Sequence, residues 1–236
     1  MQANLFSNPV IDLLLIRERL GAVSGPIRDP QRLDPVSQFV RSFIGSRTHD
    51  HDSWQAFARL ARRYPDWNDL ADAPAAEIEA LLAGVTHADK KAPELKDALR
   101  KIRVRAGALD LEFLRDHPVA QGLRWLEEIH GVGRKIAAST LNFSTLHKRA
   151  FVIDTHILRV LRRFGFVKPS ANTEEVYNVV MAAARDLDAD DFYELHWYLK
   201  RLGQQVCGHA RAQCGVCPLS DVCLKRMEGG GMGRAA

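Results

Sequence analysis

Apolar residues return every three or four positions along most of this chain, the spacing of one buried face of an α-helix. Ile11, Leu14, Leu15 and Leu20 mark such a face near the start, and Phe39, Val40, Phe43 and Ile44 mark another after Asp34-Pro35. Asp34 is a natural acceptor for free amides at a helix start, and Pro35 suits the first helical position, where its missing N–H costs nothing. The same spacing predicts helices over 53–63, 75–83, 90–105, 118–129, 134–144, 155–164, 174–187 and 192–206. Period-two alternation is absent. Phe151-Val152-Ile153 is short enough for a strand, but it runs into Asp154-Thr155-His156, where Asp154 reads as an N-cap and Ile153 and Leu158 have hydrophobic-staple spacing. The expected fold class is all-α.

Gly25-Pro26 and the polar stretch around Arg149 are the natural boundaries, Pro169-Ser170-Ala171-Asn172 reads as a connection, and no internal repeat is visible. The glycine-rich tail, 226–236, is expected to be disordered, because glycines lose most entropy on ordering. With 236 residues, 46% hydrophobic and 26% charged, the chain is of ordinary globular composition and long enough for one large or two modest domains. The apolar run from Leu13 to Ile16 is too short to cross a bilayer, and no secretory or lipidation pattern is apparent, so a cytoplasmic protein without a membrane partner is expected.

The formal net charge of +4 suits a polyanionic partner without requiring one. Lys90, Lys91, Lys96, Arg100, Lys101, Arg103 and Arg105 concentrate positive charge on one predicted helix. A solvated helix face is the simpler reading of that run, and a phosphate-tracking surface is the alternative. His156 and His196 fall on apolar helix faces and read as satisfied, partly buried histidines; Trp54, Trp125 and Trp197 read as core.

The four cysteines of the chain, Cys207, Cys214, Cys217 and Cys223, are spaced C-x6-C-x2-C-x5-C. Four thiolates within so short a segment can converge on one centre, either an iron–sulfur cluster or a structural zinc. Two disulfides are disfavoured, since a chain of this length needs no staples.

The sequence Leu126-Glu127-Glu128-Ile129-His130-Gly131-Val132-Gly133-Arg134-Lys135-Ile136-Ala137 reads as helix, glycine-rich turn and helix. Gly131 and Gly133 are expected to take backbone angles closed to other residues and to let backbone N–H groups approach a phosphate, with the positive end of the next helix behind them. A tight turn between packed helices would leave the same trace. Lys135 lies in the first turn of the second helix, where free amides and the helix dipole disfavour a cation; a lowered pKa would yield a neutral, nucleophilic amine. Asp154, at another helix start, is favoured as a carboxylate by the same dipole. Taken singly, the two residues also read as a surface lysine and a plain cap.

The hairpin Gly131-Val132-Gly133-Arg134-Lys135, the segment Val152-Ile153-Asp154-Thr155-His156 and the cysteine loop together resemble the helix–hairpin–helix DNA glycosylases of the endonuclease III type, in the same order and over about residues 30 to 225. The resemblance implies a [4Fe-4S] cluster on the four cysteines, and two helical domains with a DNA-binding cleft between them. One would be a six-helix barrel-like domain over 28–148 with the hairpin; the other, the cluster domain, would comprise 1–27 and 149–236. It implies that Lys135 is the Schiff-base lysine and Asp154 the catalytic aspartate, acting on double-stranded DNA with a damaged base, an oxidised pyrimidine, or an abasic site. A monomeric, cytoplasmic, nucleoid-associated enzyme of base excision repair is the corresponding expectation. Family members specific for mispaired adenine lack a lysine at this place.

The chain departs from the family pattern in two DNA-facing loops. Gly45-Ser46-Arg47-Thr48-His49-Asp50 matches a serine-alanine-glutamine-like stretch, with Arg47 in place of the gap-filling glutamine, and Thr86-His87-Ala88 matches glycine-leucine-tyrosine, with His87 where an apolar wedge is usual. Arg47 and His87 therefore join Gly131, Val132, Gly133 and Arg134 as candidate DNA contacts. His130 stands where a proline is usual, a tolerated turn change. The rival readings are a monofunctional glycosylase for another base and a cluster-bearing DNA-binding protein that does not cut.

Overall fold

The computed structural model describes residues 9–27 and 31–225; the tail 226–236 and the side chain of Ile11 lie outside the described residues. The described chain is helical, with α1 Pro9–Ser24, α2 Pro35–Ile44, α3 Asp50–Arg63, α4 Trp67–Asp72, α5 Ala75–Leu81, α6 Ala88–Ala106, α7 Val119–Glu127, α8 Arg134–Phe143, α9 Thr155–Phe164, α10 Thr173–Ala183 and α11 Ala189–Gln205. Short 3-10 turns occupy Glu112–Asp116 and Cys214–Val216. Among the described residues, extended pairing is limited to two isolated bridges, Leu33 with Ser144 and Cys207 with Ala212. The 151–153 segment is irregular chain leading into α9.

Helix starts follow the sequence signals. The Asp34 side chain accepts the Ser37 N–H at 2.9 Å with Pro35 at the first helical position, and Asp154 accepts the Ile157 N–H at 2.9 Å. Asn172 with Glu175 and Asp188 with Asp191 form reciprocal capping boxes that start α10 and α11. Helix α4, absent from the sequence reading, begins where Asp66 accepts the Asn68 N–H at 2.8 Å. Gly107 (φ 81°) and Gly165 (φ 99°) end α6 and α9 in the left-handed conformation that suits glycine.

Residues 31–150 make one compact unit, and residues 151–225 with 9–27 make the other. In the first, α2 packs against α3, α6 and α8, and α6 against α4 and α5. Phe39, Ile44, Leu60, Leu70, Ile78, Leu95, Leu99, Leu126 and Leu141 are buried there. A polar seam crosses this core: Gln38 Nε2 donates to Ser42 Oγ (2.8 Å) and Ser139 Oγ (3.2 Å), and the two serine hydroxyls are 2.8 Å apart. Buried hydroxyls paired in this way fix the register of α2 against α8, the helix that carries Lys135. In the second unit α9 packs on α11, and α1 on α10 and α11. Gly203 allows the close approach of α9 and α11, since a Cβ there would lie 2.8 Å from His156 Cβ.

Trp54 is not core. It is 44% exposed at the rim of the buried face of α3, edge-on to Phe57 with ring centres 5.9 Å apart, and the Arg41 guanidinium stacks 3.6 Å from its ring centre. Trp125 and Trp197 are half-buried, beneath Arg105 and Lys200.

Candidate active site

Between α7 and α8 the chain turns tightly, with the Ile129 N–H donating to Leu126 O (3.1 Å) and the Val132 N–H to Ile129 O (3.0 Å). The two glycines do different work. Gly131 has φ 81°, and a Cβ there would sit 3.1 Å from Phe43 Cζ, so the turn needs glycine for both conformation and space. Gly133 has φ −99°, open to any residue, and a Cβ would meet nothing within 4 Å. The expectation of special backbone angles at both glycines is corrected accordingly: at Gly133 what the missing side chain leaves is a bare backbone at the start of α8. No side chain caps α8, Val132 is buried beneath the turn, and Arg134 pairs with Glu127. Lys135, second residue of α8, is half-buried.

Within electrostatic reach of Lys135 lies a lysine whose sequence context suggests a solvated face. Lys91 is 8% exposed, and its Nζ donates to Ile44 O (2.9 Å), to Ser46 O and to Thr48 Oγ1 (3.2 Å). Burial, then the positive charges of Lys135 and Arg47, push its pKa down to about 8, against an opposing pull from Glu94. Its position was legible: Lys91 lies one turn before Leu95 on the apolar stripe of α6, which continues through Leu99 and Ile102. Much of the rest of the basic run is paired within the molecule. Arg100 and Arg103 bind Asp72, Arg105 binds Glu128, and Lys96 donates to Ala73 O at 2.6 Å. The Arg103 hydrogen bonds, with help from Arg100, hold the Asp72 carboxyl down at about 2. This favours a charged, paired surface over a phosphate-tracking one.

Arg47 (φ 54°) and His87 (φ 58°) are both exposed, and both adopt the left-handed conformation that β-carbon residues avoid. Such strain persists where surroundings enforce it. Here Thr48 Oγ1 accepts from the Thr86 N–H (3.2 Å) and from Lys91, which cross-ties the loop holding Arg47 to the loop holding His87.

Asp154 lies in the other unit, as the cap of α9. Burial pushes its pKa up, but His196, the Ile157 amide, Lys200 and His156 together outweigh this and hold the carboxyl below its ordinary value. His196 is satisfied and buried, as expected, with Nδ1 2.8 Å from Val152 O; it also places its ring close enough to influence the Asp154 charge. His156 Nδ1 lies 3.2 Å from Arg159 Nη2.

Cys207, Cys214, Cys217 and Cys223 are free thiols, each half-buried, and all four line one small cavity with Arg163, Val206, Ala212 and Gln213. Burial, and then the neighbouring thiols, push Cys217 up and Cys223 up to about 11. The Lys225 N–H lies 3.3 Å from Cys223 Sγ, and Arg163 Nη1 3.6 Å from Cys207 Sγ. Arg163 also donates to Gly208 O (2.7 Å) and His209 O (3.0 Å), and Arg159 to Cys207 O (3.0 Å), so two buried arginines of α9 hold the start of the cysteine loop. Among the described residues, no three or more histidine, cysteine, aspartate or glutamate side chains converge closely enough to hold a single metal ion.

Residues 40–185 match the family described as HhH-GPD superfamily base excision DNA repair protein. The chain is 27% identical over 174 residues to DNA glycosylase/AP lyase ROS1 of Arabidopsis thaliana, covering 67% of this chain and 12% of that protein. It is 26% identical over 189 residues to endonuclease III of Synechocystis sp., covering 80% of each. It spans 11% of the length of one further relative, Transcriptional activator DEMETER, and 52% of another, Putative DNA glycosylase At3g47830, both of Arabidopsis thaliana. In fold it resembles the solved structure of a trapped endonuclease III–DNA covalent intermediate, with a TM-score of 0.75 at 19% identity over 92% of this chain and 96% of the other.

Proposed function

We propose that this chain, which belongs to the HhH-GPD superfamily of base excision DNA repair proteins, is a bifunctional DNA glycosylase and abasic-site lyase that acts as a monomer on double-stranded DNA carrying an oxidised pyrimidine or an abasic site. The observation that carries this reading is a half-buried amine, Lys135, in the uncapped first turn of the helix that follows the glycine turn. The helix dipole there favours an anion such as phosphate and disfavours an ammonium.

In the proposed reaction the damaged nucleotide is extruded from the duplex, because its C1′ is otherwise unreachable. The neutral Lys135 amine attacks C1′; the bond from C1′ to the base breaks, and the base leaves with that electron pair and takes up a proton. Asp154, held as a carboxylate, stabilises the positive charge that develops on the sugar. Ring opening gives an iminium between Lys135 and C1′. Loss of a C2′ proton then expels the 3′ phosphate, which is β-elimination, and water releases the lysine. One amine thus accounts for both base removal and strand cleavage. Gly131, Val132, Gly133 and Arg134 would present backbone and charge to a phosphate, with Arg47 and His87 at the lesion.

The four thiols fit a [4Fe-4S] cluster. All four line one shared cavity, and each iron of such a cluster takes one thiolate. Thiols pushed up by burial and by each other are stabilised as thiolates by a bound cation. A bound cluster would supply four covalent ties within the loop from Cys207 to Cys223.

Borohydride trapping on a duplex with one abasic site tests the reading, with wild type compared with Lys135→Ala. A covalent complex formed by wild type and absent from the variant is expected. Base release without any complex would replace the reading with a monofunctional glycosylase, and binding with neither would replace it with a non-cutting DNA-binding protein.

A further inference from the structure

We propose that Lys91 is a positioning residue for this reaction: its ammonium locks the loops that carry Arg47 and His87 together and places a positive charge within electrostatic reach of Lys135. The inference rests on the Schiff-base reading of Lys135.

A lysine ammonium has three protons to donate and no acceptor capacity. Lys91 directs it at three acceptors, Ile44 O, Ser46 O and Thr48 Oγ1. Ile44 is the last residue of α2, whose carbonyl end favours a cation. Ser46 and Thr48 flank Arg47, so two of the three bonds clamp the left-handed residue from either side. The third link in the chain is Thr48 Oγ1, which also accepts the Thr86 N–H immediately before His87. Two exposed, strained side chains therefore depend on one buried amine for their relative placement.

The charge has a second consequence. The charged groups that act on Lys91 are Lys135 from α8, Arg47 from the loop after α2, and Glu94 on its own helix. Two of these repel it and one attracts it. Pairwise repulsion is mutual, so a protonated Lys91 disfavours a proton on Lys135, and a neutral Lys135 is the form that attacks C1′. With a pKa near 8, Lys91 itself keeps its proton at neutral pH.

The test is the trapping rate as a function of pH for wild type, Lys91→Met and Lys91→Arg, with Lys135→Ala as the blank, each measured with the abasic site opposite all four bases. Lys91→Met is expected to move the acid limb upward by about one pH unit, roughly a tenfold loss on the limb, and to flatten the dependence on the opposite base. Lys91→Arg, which keeps the charge, is expected to leave the limb within a few tenths of a unit. A limb unmoved in Lys91→Met overturns the electrostatic role even if activity falls. If Lys91→Met fails to fold, Thr48→Val cuts the link between the loops while the charge stays: opposite-base dependence is expected to flatten with the limb in place, and an unaltered dependence overturns the positioning role. Absence of any wild-type complex removes the Schiff-base reading and this inference together, whereas wild-type trapping with an indifferent Lys91→Met removes the inference alone.

Discussion

Replacing Asp154 separates a helix cap from a catalytic charge at one position. Its Oδ1 accepts the Ile157 N–H at 2.9 Å, the single side-chain cap of α9. Asparagine presents an equivalent oxygen, so Asp154→Asn retains that bond, while Asp154→Ala loses it at a cost of about 1 kcal/mol, or roughly 2–4 °C in Tm for a chain of this size. Both variants lose the charge proposed to stabilise the sugar cation. Removing a preorganised group of this kind costs roughly 10²–10³ in rate, about 3–4 kcal/mol. Base release under single-turnover conditions should therefore fall alike in both, while thermal unfolding separates them. Acidification adds a signed check. The folded-state pKa is depressed, so the stability contributed by ionised Asp154 is complete above the ordinary carboxyl range near pH 4 and is lost as pH falls through the lower folded value. The stability gap between wild type and Asp154→Asn should accordingly shrink on the acid side. Equal destabilisation by Asn and Ala, with activity falling in proportion to the folded fraction, would refute the separation.

The two glycines of the turn should diverge. Gly131→Ala places a Cβ at φ 81° and 3.1 Å from Phe43, and should cost roughly 1–2 kcal/mol by chemical denaturation. Gly133→Ala should melt like wild type and yet bind duplex DNA less tightly in a titration, because the added methyl obstructs only the approach to the backbone; unchanged affinity would remove phosphate contact from that position. Gly203→Ala would bring a Cβ to 2.8 Å from His156 and should destabilise the packing of α9 on α11 by roughly 1–3 kcal/mol, read by urea unfolding. Protein purified without oxygen should contain iron and acid-labile sulfide in the ratio of a [4Fe-4S] cluster, and Cys217→Ser should lower both; one zinc per chain without sulfide would contradict the cluster.

Helices were readable wherever an apolar stripe and a capping side chain coincided. Asp34-Pro35 and Asp154 illustrate this, because both signals are local and the structure leaves them in place. Helix α4 escaped because it is six residues long between Pro65 and Pro74 and buries only Leu70 and Ala71, too little to show a period. Helix α11 starts three residues before its apolar stripe suggests: Asp188 and Asp191 cap each other's ends of the first turn, a reciprocal pairing hidden in a run of acidic residues. Trp54 departs from its sequence expectation for a different reason. Size and apolarity argue for burial, but its place on α3 turns it outward, where a cation from α2 covers one ring face.

The candidate site divides along the same line. Lys135, Asp154 and the cysteines stood out because each sits in a short signature whose chemistry is local: a turn, a cap, a spacing. Lys91 did not, because in a run of seven basic residues its type carries no information and only its phase does. Four residues before Leu95, it occupies the apolar stripe of α6, and a lysine in that phase must either bend out to solvent or find acceptors inside. What decides between these is nowhere near it in sequence: the end of α2 lies 47 residues away and offers carbonyls that no helix bond satisfies. A buried cation is tolerable only where such acceptors converge. Having been drawn in by them, Lys91 also lies within electrostatic reach of Lys135, so the same convergence that closes α2 is what brings a second charge near the proposed nucleophile.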